Sequence, residues 1–475
     1  MGRGRTSGNR GFVAALSGLA AAETVAALLR SRSPLDAISQ FVVDHSPRSL
    51  VEPVVRLLKE SDKPVIRGTV AAAVVAMGGA LGRLPRHTKR DLAVVSAVAA
   101  TGWWLTRRRA TPDDQASVAT AAVGLGAVST LATLRSQTSA ALPVSAVAIA
   151  GTLAAQWHLR EEVACVGRPL FARNPLPPAI DGAEDWPGVA PLITPVDEFY
   201  VTDANMRPPI IDVDSWRLTV TGEVANELSL SHDDLVDSGL VEFDAAMVCV
   251  HNRLGWDRLG NGRWLGVPLT RILDEAAPTT LDGHLVTQAV DGWDCSIPLA
   301  SVSHGYVVLG LNGRTLTAAH GFPARVFVPG LYGQYTGAKW LTCLRIQTAP
   351  NSDYWHARGW TRGPLHVRPL SRIDHPRRRV SAGSVQVTGV AWAPPVGVRA
   401  VEVAVDGQNW QPAELAAELA PAAWRRWRVH LELSPGVHRI RARCTAADGS
   451  VQDSVPRPPF PVGAGGHHTV TITAR

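Results

Sequence analysis

Residues 247–269 read MVCVHNRLGWDRLGNGRWLGVPL, and their reading decides what the second half of the chain is. An apolar run ends on Cys249, and the chain then passes through His251, Asn252 and Arg253 into a loop rich in Gly and Trp. The run FDAAMVCV has the continuous apolar character of a buried strand that stops at the cysteine. Two readings of Cys249 stand at this point. A lone buried cysteine is a small hydrophobe; a cysteine beside cations and hydrogen-bond donors is a thiolate suited to a soft metal. The glycines of LGNGRWLG would let backbone approach a bulky ligand.

Cysteine usage narrows the options. Cys165, Cys249, Cys295, Cys343 and Cys444 are scattered and form no CxxC. A disulfide scaffold, a zinc ribbon, an iron–sulfur cluster and c-type haem attachment are therefore not expected. The chain has 475 residues, 46% hydrophobic and 19% charged, enough for two or three domains. Its formal charge of +6 is carried almost wholly by Arg. No basic stripe interleaved with aromatics appears, so nucleic acid is not an expected partner. There is no GxGxxG and no GxxxxGK[ST], so NAD and ATP have no sequence handle.

Composition changes near residue 160. Of the apolar stretches at 11–29, 65–82, 92–105, 117–134 and 141–157, most approach the roughly 17–20 residues a spanning helix needs, the third being the weakest. They are rich in Ala, Gly and Ser, with Trp103, Trp104 and Trp157 at their ends. This predicts a membrane domain of about five helices over 1–160, and with it a multi-pass cell-membrane protein in contact with lipid. If the N-terminus faces the cytoplasm, the remainder leans extracytoplasmic. Residues 33–60 have apolar positions at helical spacing and are expected to form amphipathic helices. Glu23, within the first stretch, marks either a proton path or a polar contact to a neighbouring helix. No His falls in any span, so a haem held between these helices is not expected.

Residues 161–196, rich in Pro, Gly and acid, read as a linker. From 197 to 375 short strands and turns predict an α+β domain, with LSHDDLVDSG (230–239) a helix capped by Ser231 and stopped by Gly239. From 376 to 475 alternating segments predict an all-β sandwich of immunoglobulin size, read as a packing or dimerisation module. A second polar cluster lies at HGFPARVFVPGLYGQYTGAKW (320–340). His320, Arg325 and Lys339 there would suit a phosphate and a polar heterocycle.

Five ordered motifs resemble the sulfite oxidase family of molybdopterin enzymes. They are FYVTDANMRPP (199–209), VCVHNRLG…NGRWLGVPL (248–269), VDGWDCSIPL (290–299), LNGRTLTAAHGFPARVFVPGLYG (311–333) and AKWLTCLRI (338–346). The N-terminal third looks like that of membrane-bound actinobacterial-type members. The resemblance implies one molybdenum held by molybdopterin and by the Cys249 thiolate. It places Tyr200, Thr202 and Asp203 along the pterin site, with Asp291 and His320 on the pterin ring. It places Arg325 and Lys339 on the phosphate, Gly337 in the same cofactor site, and Asn252 in the loop behind the sulfur. The C-terminal domain is implied to be an immunoglobulin-like homodimerisation module. Trp360, Trp256 and Arg358 are the candidates for the wall of a catalytic pocket.

The chain departs from the animal and plant members at three points. Thr202 and Leu254 stand where those enzymes carry Arg, and Trp360 stands where they carry an active-site Tyr. The resemblance implies oxygen-atom transfer to or from a small molecule, sulfite or another oxo-acceptor, with electrons passed to a quinone or a separate haem protein. A sulfoxide-type reductase, or a non-catalytic receptor that kept the fold, are the alternatives.

Overall fold

The chain is described by a computed structural model, which covers residues 3–28, 33–47, 62–83, 88–107, 126–127, 130 and 167–475, apart from 281, 352, 354, 363 and 364. It divides into two units, Met1–Val166 with Asp203–Ile210, and Gly167–Thr202 with Ile211–Arg475.

The first unit contains the helices α1 (Arg3–Leu28), α2 (Pro34–His45), α3 (Asp62–Gly82) and α4 (Thr88–Arg107). Ser33 caps α2, its side chain accepting from the Asp36 amide, with Pro34 in the first turn where its missing N–H costs nothing. Glu23 completes this cap from α1. Its carboxylate accepts from the Ser33 hydroxyl (2.5 Å) and the Leu35 amide (3.1 Å), and burial pushes its pKa up. Glu23 is thus the polar contact between helices. Around it, Arg67 pairs with Asp36, Arg207 lies 3.3 Å from the same carboxylate, and Lys63 lies 3.5 Å from Asp203.

These contacts go with a correction. Among the described residues no helix is long and apolar enough to cross a membrane. Ala, Gly, Ser and Thr give α1, α3 and α4 little hydropathy, and Glu23, Lys63, Arg67, Lys89, Arg90 and Asp91 interrupt them. The all-α transmembrane bundle and the multi-pass membrane location are overturned on that ground. The stretch at 141–157, most of 117–134 and the helix expected over 48–60 fall outside the described residues.

The second unit is rich in β-structure. In chain order it runs β1 (Leu218–Gly222), β2 (Leu228–Leu230), α5 (His232–Asp237), β3 (Val241–Val248), β4 (Leu259–Pro268), α6 (Leu269–Ala276), β5 (His284–Ala289), β6 (Asp294–Pro298), β7 (Tyr306–Leu311), β8 (Arg314–Thr315), β9 (Arg325–Phe327) and β10 (Leu341–Gln347). Ser231 and Asp234 form a reciprocal capping box at α5, and Gly239 follows the helix with φ +92°. One sheet has the order β2-β1-β10-β5-β6; a second has β3-β4-β7-β8, with β9 also paired to β7.

The second sheet is buried on both faces, which is why its strands read as continuous apolar runs. Leu265, Val307 and Leu309 face the main core with Leu218, Leu285, Ile297 and Leu344, while Ala245, Met247, Trp264 and Val308 face a smaller cluster built on Phe199 and Phe327. Cys249 continues the alternation of β3 onto the Phe199 side.

The C-terminal strands are β11 (Leu370–His375), β12 (Arg379–Val380), β13 (Gly383–Trp392), β14 (Val398–Val405), β15 (Gln411–Pro412), β16 (Glu414–Leu415), β17 (Arg425–Leu433), β18 (Gly436–Ala446) and β19 (His468–Ala474). They form two sheets, β11-β13-β17-β16 and β12-β19-β18-β14-β15, over a core of Val387, Val403, Trp427, Leu431, Ile440 and Cys444. The segment before Thr202 is bound to this region by charge. Arg426 of β17 donates to both carboxylate oxygens of buried Asp181, through Nε at 2.7 Å and through Nη2.

Candidate functional site

Cys249 sits one residue past β3, with its residue only 6% exposed. Its amide donates to the Arg258 carbonyl (3.0 Å), and its sulfur lies 3.9 Å from the Thr202 hydroxyl. Burial pushes the thiol pKa up; the His251 backbone N–H, Arg258 and Thr202 pull it down. Thiolate is therefore favoured once a cation supplies the missing charge, as a metal does. Asn252 is buried and accepts the Arg258 amide on Oδ1 (3.0 Å), so it orders the loop behind the sulfur. Gly333 donates to the Val248 carbonyl (2.8 Å), and a Cβ there would lie 2.9 Å from the Tyr200 hydroxyl. A side chain at 333 would crowd the Tyr200 hydroxyl, and glycine leaves it room.

The glycines of β4 have an occupant within the protein. A Cβ on Gly260 would stand 2.7 Å from the Phe199 ring, and one on Gly262 would stand 3.3 Å from it. They make room for Phe199, not directly for a bound ligand. Phe199 stacks on Tyr200 (5.9 Å between centroids) and meets Trp264 and His320 edge-on at 5.4 and 5.8 Å. Its position fixes the segment that carries Tyr200 and Thr202. Burial raises the Tyr200 pKa well above the usual tyrosine value, so the hydroxyl stays protonated.

His320 ends a short 3-10 turn, Ala318–His320, capped by Thr317. Its Nε2 is 3.3 Å from the Phe199 carbonyl, and its Nδ1 is 2.7 Å from the Thr317 hydroxyl. A carbonyl only accepts, so the network assigns the proton to Nε2 and lets Nδ1 accept. Burial lowers the pKa to about 4, which keeps the ring neutral at pH 7. Both ring nitrogens are engaged by the protein, so His320 ties the Phe199 segment to the 320s loop.

Arg325, at the start of β9, is buried; its Nη1 donates to the His320 carbonyl (3.2 Å), and burial lowers its pKa to about 10. Its Nε is buried and has no hydrogen-bond partner among the described residues. Gly321 (φ +109°) lies at the meeting point, where a Cβ would stand 3.1 Å from Lys339 and 3.2 Å from Arg325. Lys339 donates to the Ala319 carbonyl (2.9 Å) and lies 4.6 Å from the Trp340 ring centroid. Gly337 has φ +114°, and a Cβ there would overlap Val326, so it lets the Lys339 segment lie against β9. Asp291 occupies the β5–β6 turn and accepts the Trp293 amide (3.0 Å); its neighbour Val290 donates to the Trp340 carbonyl (2.9 Å). That bond brings the turn beside the Lys339 loop.

Two residues from the sulfur, the His251 ring meets Trp360 edge-on at 4.6 Å, and Trp360 is backed by Trp355 and Phe460. Trp360 is buried, and Arg358 ends a short turn beside it. Asp203 belongs to the helical unit, where it pairs with Lys63. The structure thus gathers Tyr200, Thr202, Cys249 and Asn252 around the sulfur, and His320, Arg325, Gly337 and Lys339 in an adjoining cluster. Sequence reading missed Phe199, Thr317, Gly333 and Arg258. Arg258 had a signal: it is the last residue before β4, where a strand paired to β3 must lie opposite Cys249.

Among the described residues no three His, Cys, Asp or Glu side chains gather as a metal site. A metal at Cys249 would have to draw its other ligands from a cofactor. The unpaired Arg325 Nε and the Lys339 ammonium fit an anionic group on that cofactor, since a buried guanidinium atom without a partner is costly unless something fills it. These residues fit a phosphate-bearing pterin.

Comparison with known proteins agrees. The model of the oxidoreductase molybdopterin binding domain family matches residues 205–355. Human mitochondrial sulfite oxidase is 30% identical over 309 residues, covering 54% of this chain and 56% of that protein. The uncharacterized oxidoreductase YuiH of Bacillus subtilis is 30% identical over 164 residues, which are 34% of this chain and 80% of that protein. The fold is also that of the sulfane dehydrogenase SoxCD from Paracoccus pantotrophus, with TM-score 0.52 and 20% identity over 63% of this chain and 95% of that one. The chain belongs to the sulfite oxidase family of molybdopterin-binding oxidoreductases. It spans about half the length of the human sulfite oxidase it matches.

Proposed function

We propose that the chain is a molybdenum oxidoreductase transferring an oxygen atom to or from a small substrate beside Cys249. The observation that supports this most is that Tyr200 lies within electrostatic reach both of a buried strand-end thiol, Cys249, and of a buried arginine, Arg325, whose Nε has no partner among the described residues. When bound, the molybdopterin cofactor supplies a metal that exchanges oxygen and two electrons with substrate. The chain's own residues would do the rest. Cys249 would hold the metal as thiolate, with the His251 N–H, Thr202 and Arg258 directed at the sulfur. Arg325 and Lys339 would hold the cofactor phosphate, and Gly337 would let them approach each other. His320, neutral and tied to Phe199 and Thr317, would keep Tyr200 and Thr202 in place. Trp360, Trp256 and Arg358 would wall the pocket and limit water.

In this reading residues 197–375 form the catalytic domain, 376–475 a dimerisation domain, and 161–196 the segment that joins them to the N-terminal helices. Electrons would leave to an external carrier, a quinone or a haem protein. The test is a screen of the molybdenum-loaded protein in both directions. Sulfite or a related donor is expected to reduce the metal, or an oxo-donor such as a sulfoxide to reoxidise it. A loaded protein whose metal responds to no compound of either class would refute the proposal.

A further inference from the structure

The loop that leaves Cys249 is closed at its base. The Cys249 amide donates to the Arg258 carbonyl (3.0 Å), and Asn252 Oδ1 accepts the Arg258 amide (3.0 Å). At its far end the C-terminal sheets meet three consecutive residues of the loop. Arg372 of β11 donates through Nη1 to the Trp256 carbonyl (3.1 Å). Gly255 has φ +77°, and a Cβ on it would stand 2.3 Å from Nε2 of His468, the first residue of β19. A Cβ on Gly466 would stand 3.2 Å from Leu254 Cδ1. The groups that make these contacts are themselves fixed. Arg372 Nε donates to Asp374 Oδ1 (2.6 Å), and buried Asp374 accepts the Ala190 amide on Oδ2 (3.2 Å). The next amide along β11, that of Ile373, donates to His468 Nδ1 (3.0 Å). The neutral ring therefore carries its proton on Nε2, and burial with the nearby Arg372 lowers its pKa to about 4. One step of β11 thus holds both the Trp256 carbonyl and the ring that bears on Gly255.

We propose that Arg372 and His468 are positioning residues for Cys249, and that the C-terminal sandwich is through them part of the site. This deepens, and rests on, the reading of Cys249 as the metal-bearing cysteine. The His251 backbone N–H acts on the sulfur and belongs to this loop. A loop pinned only at its base could carry that donor away and open the thiol to water. Contacts at 254–256 from a separate pair of sheets leave it one arrangement, as groups behind a metal ligand do. Arg372 suits the task because its largely buried guanidinium spans a carboxylate on one side and a carbonyl on the other.

The test is alkylation of the metal-free, full-length protein by iodoacetamide, with each cysteine followed by peptide mass spectrometry. Cys249 is buried, as are Cys295 in the catalytic region and Cys444 in the sandwich core, and all three should react slowly in wild type. Arg372→Met removes a bond from a charged donor and should speed Cys249 alkylation at least about tenfold, with Cys295 and Cys444 unchanged. Arg372→Lys should restore part of the protection. Gly255→Ala drives a Cβ into His468 and should give the same selective rise; it decides the matter if Arg372→Met does not fold. A folded variant with wild-type reactivity at Cys249 would overturn the proposal. So would a rise shared by all three cysteines, which would make Arg372 a fold residue only. Selective exposure of Cys249 in a protein that never takes up molybdenum would support this inference while refuting the cofactor reading. Unchanged Cys249 reactivity in variants of a protein shown to hold molybdenum through that sulfur would do the reverse.

Discussion

Arg325→Met separates a residue kept for its ligand from one kept for the fold. Arg325 is 6% exposed; its guanidinium donates to the His320 carbonyl, and its Nε has no hydrogen-bond partner among the described residues. Burial lowers its pKa from 12.5 to about 10. At about 1.4 kcal/mol per unit, holding this charge in the metal-free fold costs on the order of 3 kcal/mol. Losing the bond to His320 gives back about 1 kcal/mol. Met fills most of the aliphatic volume, so the cavity cost is small. The metal-free Arg325→Met protein should therefore be more stable than metal-free wild type by about 2 kcal/mol, a shift of several degrees in Tm by calorimetry. In a cofactor-competent host the same variant should lose most of its molybdenum and pterin, the trade of stability for function seen at binding sites. A variant that is destabilised when metal-free yet keeps its molybdenum would refute the reasoning and make Arg325 a fold residue.

Two further outcomes follow from the same contacts. The His320 pKa is lowered from 6.5 to about 4, so the unfolded chain takes up this proton first as pH falls. Stability should be unaffected by His320 above about pH 6.5 and fall by roughly 3 kcal/mol between pH 6.5 and 4; in His320→Gln that part of the pH dependence of the urea midpoint should vanish, leaving any from His468, also lowered to about 4. Asp181→Ala would strand the Arg426 guanidinium, whose side chain is 5% exposed, with only the exposed Glu184 at 3.2 Å. A loss of about 3 kcal/mol is expected by denaturant titration, and a loss under 1 kcal/mol would mean that the linker is not held by this pair.

Much of the β-rich half was legible because its signals are local. Ser231 with Asp234 three residues on marks a helix start, and the runs ending at Val248 and Leu311 mark strands. The cofactor cluster was legible only as motifs. His320, Arg325 and Lys339 converge because Gly321 and Gly337 permit it, and that pairing is long-range. Arg258 was passed over because LGNGRWLG was read as a loop and not as the strand that pairs with β3 and sets Arg258 opposite Cys249. Glycines 260 and 262 were read as space for a ligand; the space belongs to Phe199, which lies some sixty residues earlier in the chain.

The N-terminal third misled for a physical reason. Ala-rich helices that pack closely in a membrane share their composition with helices that pack on one another elsewhere. Charge decides between them, and here Glu23, Asp36 and Arg67 lie together within the helical unit. Glu23 had already raised that question in the sequence, and its bonds to Ser33 and Leu35 give it a capping role.

The central claim is that Cys249 holds molybdenum through its sulfur. The measurement is molybdenum and pterin content of wild type and Cys249→Ser purified from a cofactor-competent host, with X-ray absorption at the metal edge. The account predicts about one molybdenum per wild-type chain and, in any metal the serine variant retains, one sulfur neighbour fewer. A fully folded wild type without molybdenum, or a Cys249→Ser protein with an unchanged metal environment, would contradict it.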